Sequence, residues 1–428
     1  MCARTWLLSR GGPAHDGPAR PSGPAAQHNC HQIKPRIFNT IQKRHPVSFS
    51  FTLEKIRPSG TLDAVIFDES TCFDLSLRAQ RQLRSAFVAE TFAFHLERCT
   101  AYRAFAERRG GPDILERVYL DIDAVPVYPT AAFKRWRNFA VEDGAVEKWC
   151  LSSGTRGTRS EVPRDRVTLE RLLGSVKAAM PLVHDWYEHE ATVINLGPSR
   201  AEAGDIWFGY VMSLIELLYP TTCMVREATL LVDEAIERLR SSVERGQDVI
   251  LVGPPFLLLE LADAVTSKNV RIDSKDRLTT ITAGGWKRFS GTAIDRAQLE
   301  ERLATAFGMS DRTRMRDAFN QVELNAVLME CRAGWKHVPP WVHATTRDPH
   351  RLHVQPRGEM GLMSYLDASA TSYPCFIVSD DVGVTREGMC ECGREGVTVR
   401  IVRRTRTSAQ RGCALSIDRT LQEVSHAR

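Results

Sequence analysis

From Phe51 onward the apolar positions fall into periodic runs that predict alternating helices and strands. Residues 76–109 carry helical periodicity without a single Pro or Gly, and 165–180 and 205–219 also read as helices. In 227–245 the apolar residues Leu230, Leu231, Ala235, Ile236 and Leu239 mark one face of an amphipathic helix. DVILVGPP (248–255) then reads as a buried parallel strand closed by Gly-Pro-Pro, LLLELADAV as a helix, and RLTTITAGG (277–285) as a strand ending in a glycine turn. Strands alternating with helices indicate α/β architecture. After about residue 338 short strands, turns and glycines take over. Residues 11–27 are rich in Pro, Gly and Ala and have no apolar face, so residues 1–50 are expected to be a disordered tail.

Composition narrows the class. The 428 residues are 43% hydrophobic and 25% charged, ordinary values for a soluble globular protein. The net charge of +5 is too diffuse to imply a nucleic-acid partner, and 47 of the 57 basic residues are arginines. Eleven cysteines, an odd number, argue against a secreted disulfide scaffold and leave thiol and metal chemistry open. No apolar stretch is long enough to span a membrane, and the N-terminus shows no credible cleavage site, so a cytoplasmic location is expected.

The first chemical signal is LSSGTRGTRS (151–160). Ser152, Ser153, Thr155 and Thr158 surround Gly154 and Gly157, and Arg156 lies between the glycines. Glycines let several backbone N–H groups turn toward one point, and hydroxyls add donors, an arrangement suited to polyphosphate. It is not a Walker A loop, and the same composition also fits a plain polar surface loop. Farther along stand the glycine pair of Ala283-Gly284-Gly285-Trp286-Lys287, then Phe319-Asn320-Gln321-Val322-Glu323, then Ser379-Asp380-Asp381-Val382-Gly383. Cys331-x5-His337 and Cys390-x-Cys392-Gly supply three thiolates and an imidazole. That would be a closed tetrahedral zinc site, or else two unrelated thiol pairs.

Taken in order, these segments resemble the adenylate-forming superfamily, and within it the acyl-protein synthetase family of bioluminescence fatty-acid reductases, with phenylacetate–CoA ligase more distant. LSSGTRG resembles the superfamily's phosphate loop, with Arg156 in place of a Thr and Ser160 in place of a frequent Lys. The resemblance spans residues 70–420 and implies an adenylate-forming α/β fold. It would comprise an AMP-binding domain over 51–385 and a truncated lid over 386–428. It also implies ATP and Mg²⁺ as cofactors beside a structural Zn²⁺ held by Cys331, His337, Cys390 and Cys392. Gly284, Gly285 and Trp286 would line the adenine pocket, Asn320 and Glu323 would stand in the magnesium motif, and Asp381 would bind the ribose. Arg404 falls where the hinge motif would lie. Trp207, Phe208, Gly209 and Tyr210 lie where the superfamily builds its acyl pocket, although they fit a plain core equally well.

The resemblance further implies that a cysteine near the C-terminus carries the acyl group, a position matched by Cys413. Arg403, Arg404, Arg406 and Arg411 crowd that segment and favour a thiolate, although a buried structural thiol fits the position too. Only 24 residues follow Arg404 and no lysine follows Lys336, so the lid lysine of the superfamily has no counterpart. Lys287 or an arginine would have to do its work. The expected activity is ATP-dependent activation of a carboxylic acid as its adenylate and transfer of the acyl group to a thiol, with a reductase or acyl carrier as partner. Two alternatives remain at this level. One is a ligase passing the adenylate directly to CoA, a carrier protein, an amine or an alcohol. The other is a nucleotide-binding protein that has lost catalysis.

Overall fold

The computed structural model describes residues 61–67, 72–152, 159–183, 191–285 and 294–405. The expected N-terminal tail lies outside them. Four helices open the described chain: α1 (Leu62–Phe67), α2 (Leu77–Arg98), α3 (Thr100–Gly110) and α4 (Ile114–Leu120). The helix expected over 76–109 breaks at Cys99, which is extended at φ −108° and ψ 94°. Neither Gly nor Pro causes the break. The Arg103 guanidinium instead folds back onto the Leu96 and Glu97 carbonyls and satisfies acceptors that the end of α2 leaves open.

Next come β1 (Tyr128–Pro129), a 3₁₀ turn (Thr130–Lys134), and the hairpin of β2 (Lys148–Leu151) with β3 (Glu161–Arg164), followed by α5 (Arg166–Ala179). A run of parallel units then follows. It contains β4 (Ala191–Asn195), α6 (Trp207–Ser213), β5 (Thr221–Cys223), the small β6–β7 hairpin (Val225–Arg226, Thr229–Leu230), α7 (Val232–Glu244), β8 (Asp248–Gly253), α8 (Pro255–Ser267), β9 (Leu278–Ala283), α9 (Arg296–Phe307) and β10 (Met315–Phe319). Strand β8 is buried at every position but its first, so it reads as a continuous apolar run rather than an alternation. The helix expected over 205–219 is the short α6 continued by a 3₁₀ turn, Leu214–Leu217.

The last part of the chain is antiparallel: β11 (Leu328–Glu330), β12 (Lys336–His337), β13 (Val342–Arg347), β14 (Gly361–Asp367), β15 (Phe376–Met389) and β16 (Glu395–Arg404). One twelve-stranded sheet joins both halves in the order β13-β14-β15-β16-β12-β11-β10-β9-β8-β4-β5, with β1 added along β15. Strands β5, β4, β8, β9 and β10 are mutually parallel, and pairing becomes antiparallel between β10 and β11. The long β15–β16 hairpin crosses position 386 without a break. Residues beyond 405 lie outside the description.

Two sets of contacts hold this sheet against its helices. An aromatic cluster joins α2, α3 and β1 to β15: the Phe105 and Tyr128 rings lie 4.5 Å apart, and Tyr102 lies 5.2 Å from Tyr128 and 5.6 Å from Phe376. All four side chains are fully buried, so their large apolar area contributes directly to cohesion. At the other half, Arg296 at the start of α9 makes two parallel bonds of 2.5 and 2.6 Å to the buried Glu330. Lys336 lies 2.8 Å from Asp317 in the same cross-strand row.

Candidate functional site

The sheet changes from parallel to antiparallel through the turn that follows β10, and that turn is heavily bonded. Asn320 Nδ2 donates to the Leu324 and Ala326 carbonyls at 3.0 and 2.8 Å. One Asp367 oxygen accepts from the Asn325 and Ala326 N–H groups, and the other accepts from Ser369. Arg164 Nη2 donates to the Val322 carbonyl at 2.7 Å, and Arg164 Nε donates to Asn325 Oδ1 at 3.2 Å. The turn presents Glu323, which is 6% exposed. Burial raises the Glu323 pKa, while the Ser160 hydroxyl, a backbone donor and the charges of Arg404 and Lys134 pull it down.

Asp381, on β15, is also buried. It accepts from Ser379 Oγ at 2.6 Å and lies 3.7 Å from Arg404 Nε, at the end of the paired strand β16. Ser379 Oγ also lies 3.2 Å from the Gln321 side-chain amide. Gln321 Nε2 and the Tyr365 hydroxyl are buried without a hydrogen-bond partner, and Tyr365 feels the Asp381 charge. A buried carboxylate with two spare polar atoms around it suits a ligand rich in hydroxyls. Arg404 thus acts on both Glu323 and Asp381, which stood apart in the sequence.

Gly284 closes β9 at φ +71°, and a Cβ there would come within 2.7 Å of the Phe208 ring. Glycine is required, but its neighbour is Phe208 rather than open space; Gly285 is the position with nothing within 4 Å. Ser152 closes the neck of the glycine-rich loop. Its hydroxyl accepts from the Ser160 N–H at 2.8 Å, and its own N–H donates to the Ser160 carbonyl. Ser153, Gly154, Thr155, Arg156, Gly157, Trp286, Lys287 and Cys413 lie outside the described residues.

Cys331, His337, Cys390 and Cys392 come together with all four ligand atoms within 4.8 Å of one another, and all four residues are buried. Two tight turns present them. Gly334 at φ +73° allows the Cys331 turn, and Gly393 at φ +95° allows the Cys390–Cys392 turn. Cys331 Sγ and Cys390 Sγ lie 3.8 Å apart. Zinc–sulfur bonds of about 2.3 Å at tetrahedral angles separate two sulfurs by about 3.8 Å. The donor set and spacing therefore fit zinc. Burial pushes the Cys331 and Cys390 thiols up and the His337 imidazole down to about 4, so the imidazole is already in its ligating, neutral form.

Comparison with known proteins places this geometry. Residues 47–422 match the family described as Acyl-protein synthetase, LuxE. The chain belongs to the acyl-protein synthetase family. Two relatives, each named long-chain-fatty-acid--luciferin-component ligase, are 41% identical to it. The Aliivibrio fischeri protein aligns over 377 residues (88% of this chain, 98% of that one), and the Vibrio harveyi protein over 364 residues (85% and 94%). A 2-hydroxyisobutyryl-CoA ligase structure in the postadenylation state superposes with TM-score 0.61 at 12% identity, covering 77% of this chain and 68% of that one. This acyl-protein synthetase therefore has the adenylate-forming fold. It is an ATP-dependent enzyme that activates a carboxylic acid as the acyl-adenylate and transfers the acyl group to a thiol. Among its described residues no helix is long and apolar enough to cross a membrane.

Several groups around the synthetase's turn carried no sequence signal. Arg164, Asp367 and Tyr365 are polar residues on strands whose burial follows from long-range packing. The charge of Lys134 bears on Glu323 because β1 pairs with β15 and carries the 3₁₀ turn with it. Burial raises the Asp381 pKa above its usual 3.8, with Arg404 and Ser379 offsetting part of the effect. A carboxyl that binds its proton more tightly when folded penalises the fold as pH rises, beginning near 3.8 and complete once the raised folded pKa is passed. Without nucleotide, Asp381→Asn should therefore gain stability relative to the parent as pH rises through this window. Thermal unfolding across pH measures it, and a pH-independent difference would contradict the assignment.

Proposed function

We propose that the acid is a long-chain fatty acid, activated at the Glu323–Asp381 site and loaded onto Cys413 before delivery to a partner protein. The observation that carries this reading is the 41% identity, over nearly the full length, to two ligases whose names specify that acid class and a luciferin-component acceptor. In this reading the partner is an acyl reductase or acyl carrier.

The residues take the following parts. The loop Ser152-Ser153-Gly154-Thr155-Arg156-Gly157 receives the phosphates of ATP. Asp381 accepts from the ribose hydroxyls, with Gln321 Nε2 and the Tyr365 hydroxyl as the spare partners nearby. Gly284, Gly285 and Trp286 border the base. Glu323 would hold Mg²⁺, whose charge would offset the burial that disfavours this carboxylate; the bound ion would neutralise the leaving pyrophosphate. The carboxylate of the acid is itself the nucleophile, so no general base is needed. Its oxygen bonds to the α-phosphorus as the bond to the β-phosphate oxygen breaks. The Cys413 thiolate then attacks the acyl carbon, the carbon–oxygen bond breaks, and AMP leaves. Lys287 and Arg404 would supply the cations that balance developing phosphate charge.

The cysteine cluster has a different part. The β15–β16 turn holds Cys390 and Cys392, while Asp381 and Arg404 pair at the other end of the same hairpin. A strand of that length spans about 30 Å, so a metal in the cluster fixes the hairpin rather than touching the reacting atoms. With four protein ligands it has no open position for substrate.

Two measurements follow. Incubation with ATP and a labelled long-chain fatty acid should give a hydroxylamine-sensitive acyl-enzyme. Cys413→Ser should lose that label yet keep acid-dependent ATP–pyrophosphate exchange; persistent label would remove Cys413 from the pathway. Elemental analysis should find one zinc per chain, and Cys392→Ser should lose most of it together with several degrees of thermal stability. A metal-free parent of full stability would contradict the zinc assignment.

A further inference from the structure

Arg164 is a buried cation with no anionic partner among the described residues. It is 0% exposed, and its acceptors are all neutral: the Val322 carbonyl at 2.7 Å, Asn325 Oδ1 at 3.2 Å and the Tyr373 hydroxyl at 3.2 Å. Its guanidinium carbon lies 3.6 Å from the centroid of the Trp207 ring and 5.4 Å from that of Tyr373. The Cys150 thiol, kept neutral by burial, is a further hydrogen-bonding neighbour of the guanidinium. A buried charge is ordinarily paired, because leaving water is costly. An arginine with only neutral acceptors among the described residues therefore calls for an explanation beyond cohesion.

Its position supplies one. Arg164 ends β3, the strand that leaves the glycine-rich loop just after the Ser152–Ser160 neck. Its two donor bonds to the turn fall on either side of Glu323, at Val322 and at Asn325. The Trp207 ring under it donates from Nε1 to Asn320 Oδ1, and Asn320 closes the same turn. One planar fork thus joins the strand behind the phosphate loop, both flanks of Glu323, and α6.

We propose that Arg164 is a positioning residue for adenylation: it fixes the height and direction of Glu323 relative to the Ser152–Ser160 neck, and its fixed positive charge favours an anionic nucleotide and acid. This rests on Glu323 as the magnesium-holding carboxylate. A fork is required because a lysine ammonium cannot span Val322 and Asn325 while lying flat on an indole. The field needs no reorganisation when charge develops, which is how preorganised donors lower a barrier.

Arg164→Lys separates charge from geometry. We expect it to raise the Mg²⁺ concentration for half-maximal ATP–pyrophosphate exchange at least tenfold, while the KM for ATP at saturating Mg²⁺ changes less than threefold. Tyr373→Phe, which removes one acceptor and keeps the ring, should shift the Mg²⁺ dependence the same way by about threefold, and it provides the test if Arg164→Lys does not fold. A variant that loses stability or kcat with an unchanged Mg²⁺ midpoint would show a purely structural role and overturn the proposal. Glu323→Gln separates the two layers. If it leaves the midpoint unchanged, the magnesium reading of Glu323 fails. If it shifts the midpoint while Arg164→Lys and Tyr373→Phe do not, the coupling through Arg164 fails alone.

Discussion

The structure depends on a change of direction. Five parallel strands lead to Phe319, and the chain must then return antiparallel without leaving backbone groups unpaired inside the protein. The turn through Asn320 and Ala326 achieves this with side chains: Asn320 caps two carbonyls, Asp367 takes two N–H groups, and Arg164 takes a third carbonyl. Each of these groups, left unsatisfied, would cost on the order of 1–3 kcal/mol. The constraint has a chemical consequence. It holds Glu323 in a buried position that favours the neutral acid, so its ionised form gains most from a cation. Rigidity and reactivity have the same source here.

The antiparallel half extends that constraint in space. Asp381 and Arg404 lie across from each other near one end of the β15–β16 hairpin, and the cysteine knuckle forms the other. The hairpin is tied to the main body at both ends: by the cluster, through Cys331 just past β11 and His337 on β12, and by the aromatic contacts of Phe376 with Tyr102 and Phe92. A small displacement at the knuckle would be carried along a stiff ladder to the buried Asp381 at the far end of the hairpin. A metal held by the four buried cluster residues would stiffen that ladder from about 30 Å away.

Much of this was legible in the sequence, for identifiable reasons. The run DVILVG gave β8 because a strand buried on both faces has no polar positions. Apolar residues at helical spacing marked α7. The cysteine cluster was readable because ligand chemistry restricts the residue types so strongly, although its halves are more than fifty residues apart. Other features were not readable. The break at Cys99 rests on Arg103 bonding back to carbonyls, which periodicity does not register. That Phe208 packs against Gly284 is a contact that spacing along the chain does not register. Arg164 looked like one more arginine among 47, since only the fold shows that it is fully buried.

The central claim is that this turn and hairpin form a working adenylation site for long-chain fatty acids. The most direct test is ATP–pyrophosphate exchange in the purified protein with Mg²⁺, comparing fatty acids of graded length with aryl and amino acids. Exchange should be absent without acid and strongest with long-chain fatty acids. Exchange driven only by aryl or amino acids would contradict the substrate assignment, and no exchange with any acid would contradict the adenylation site itself.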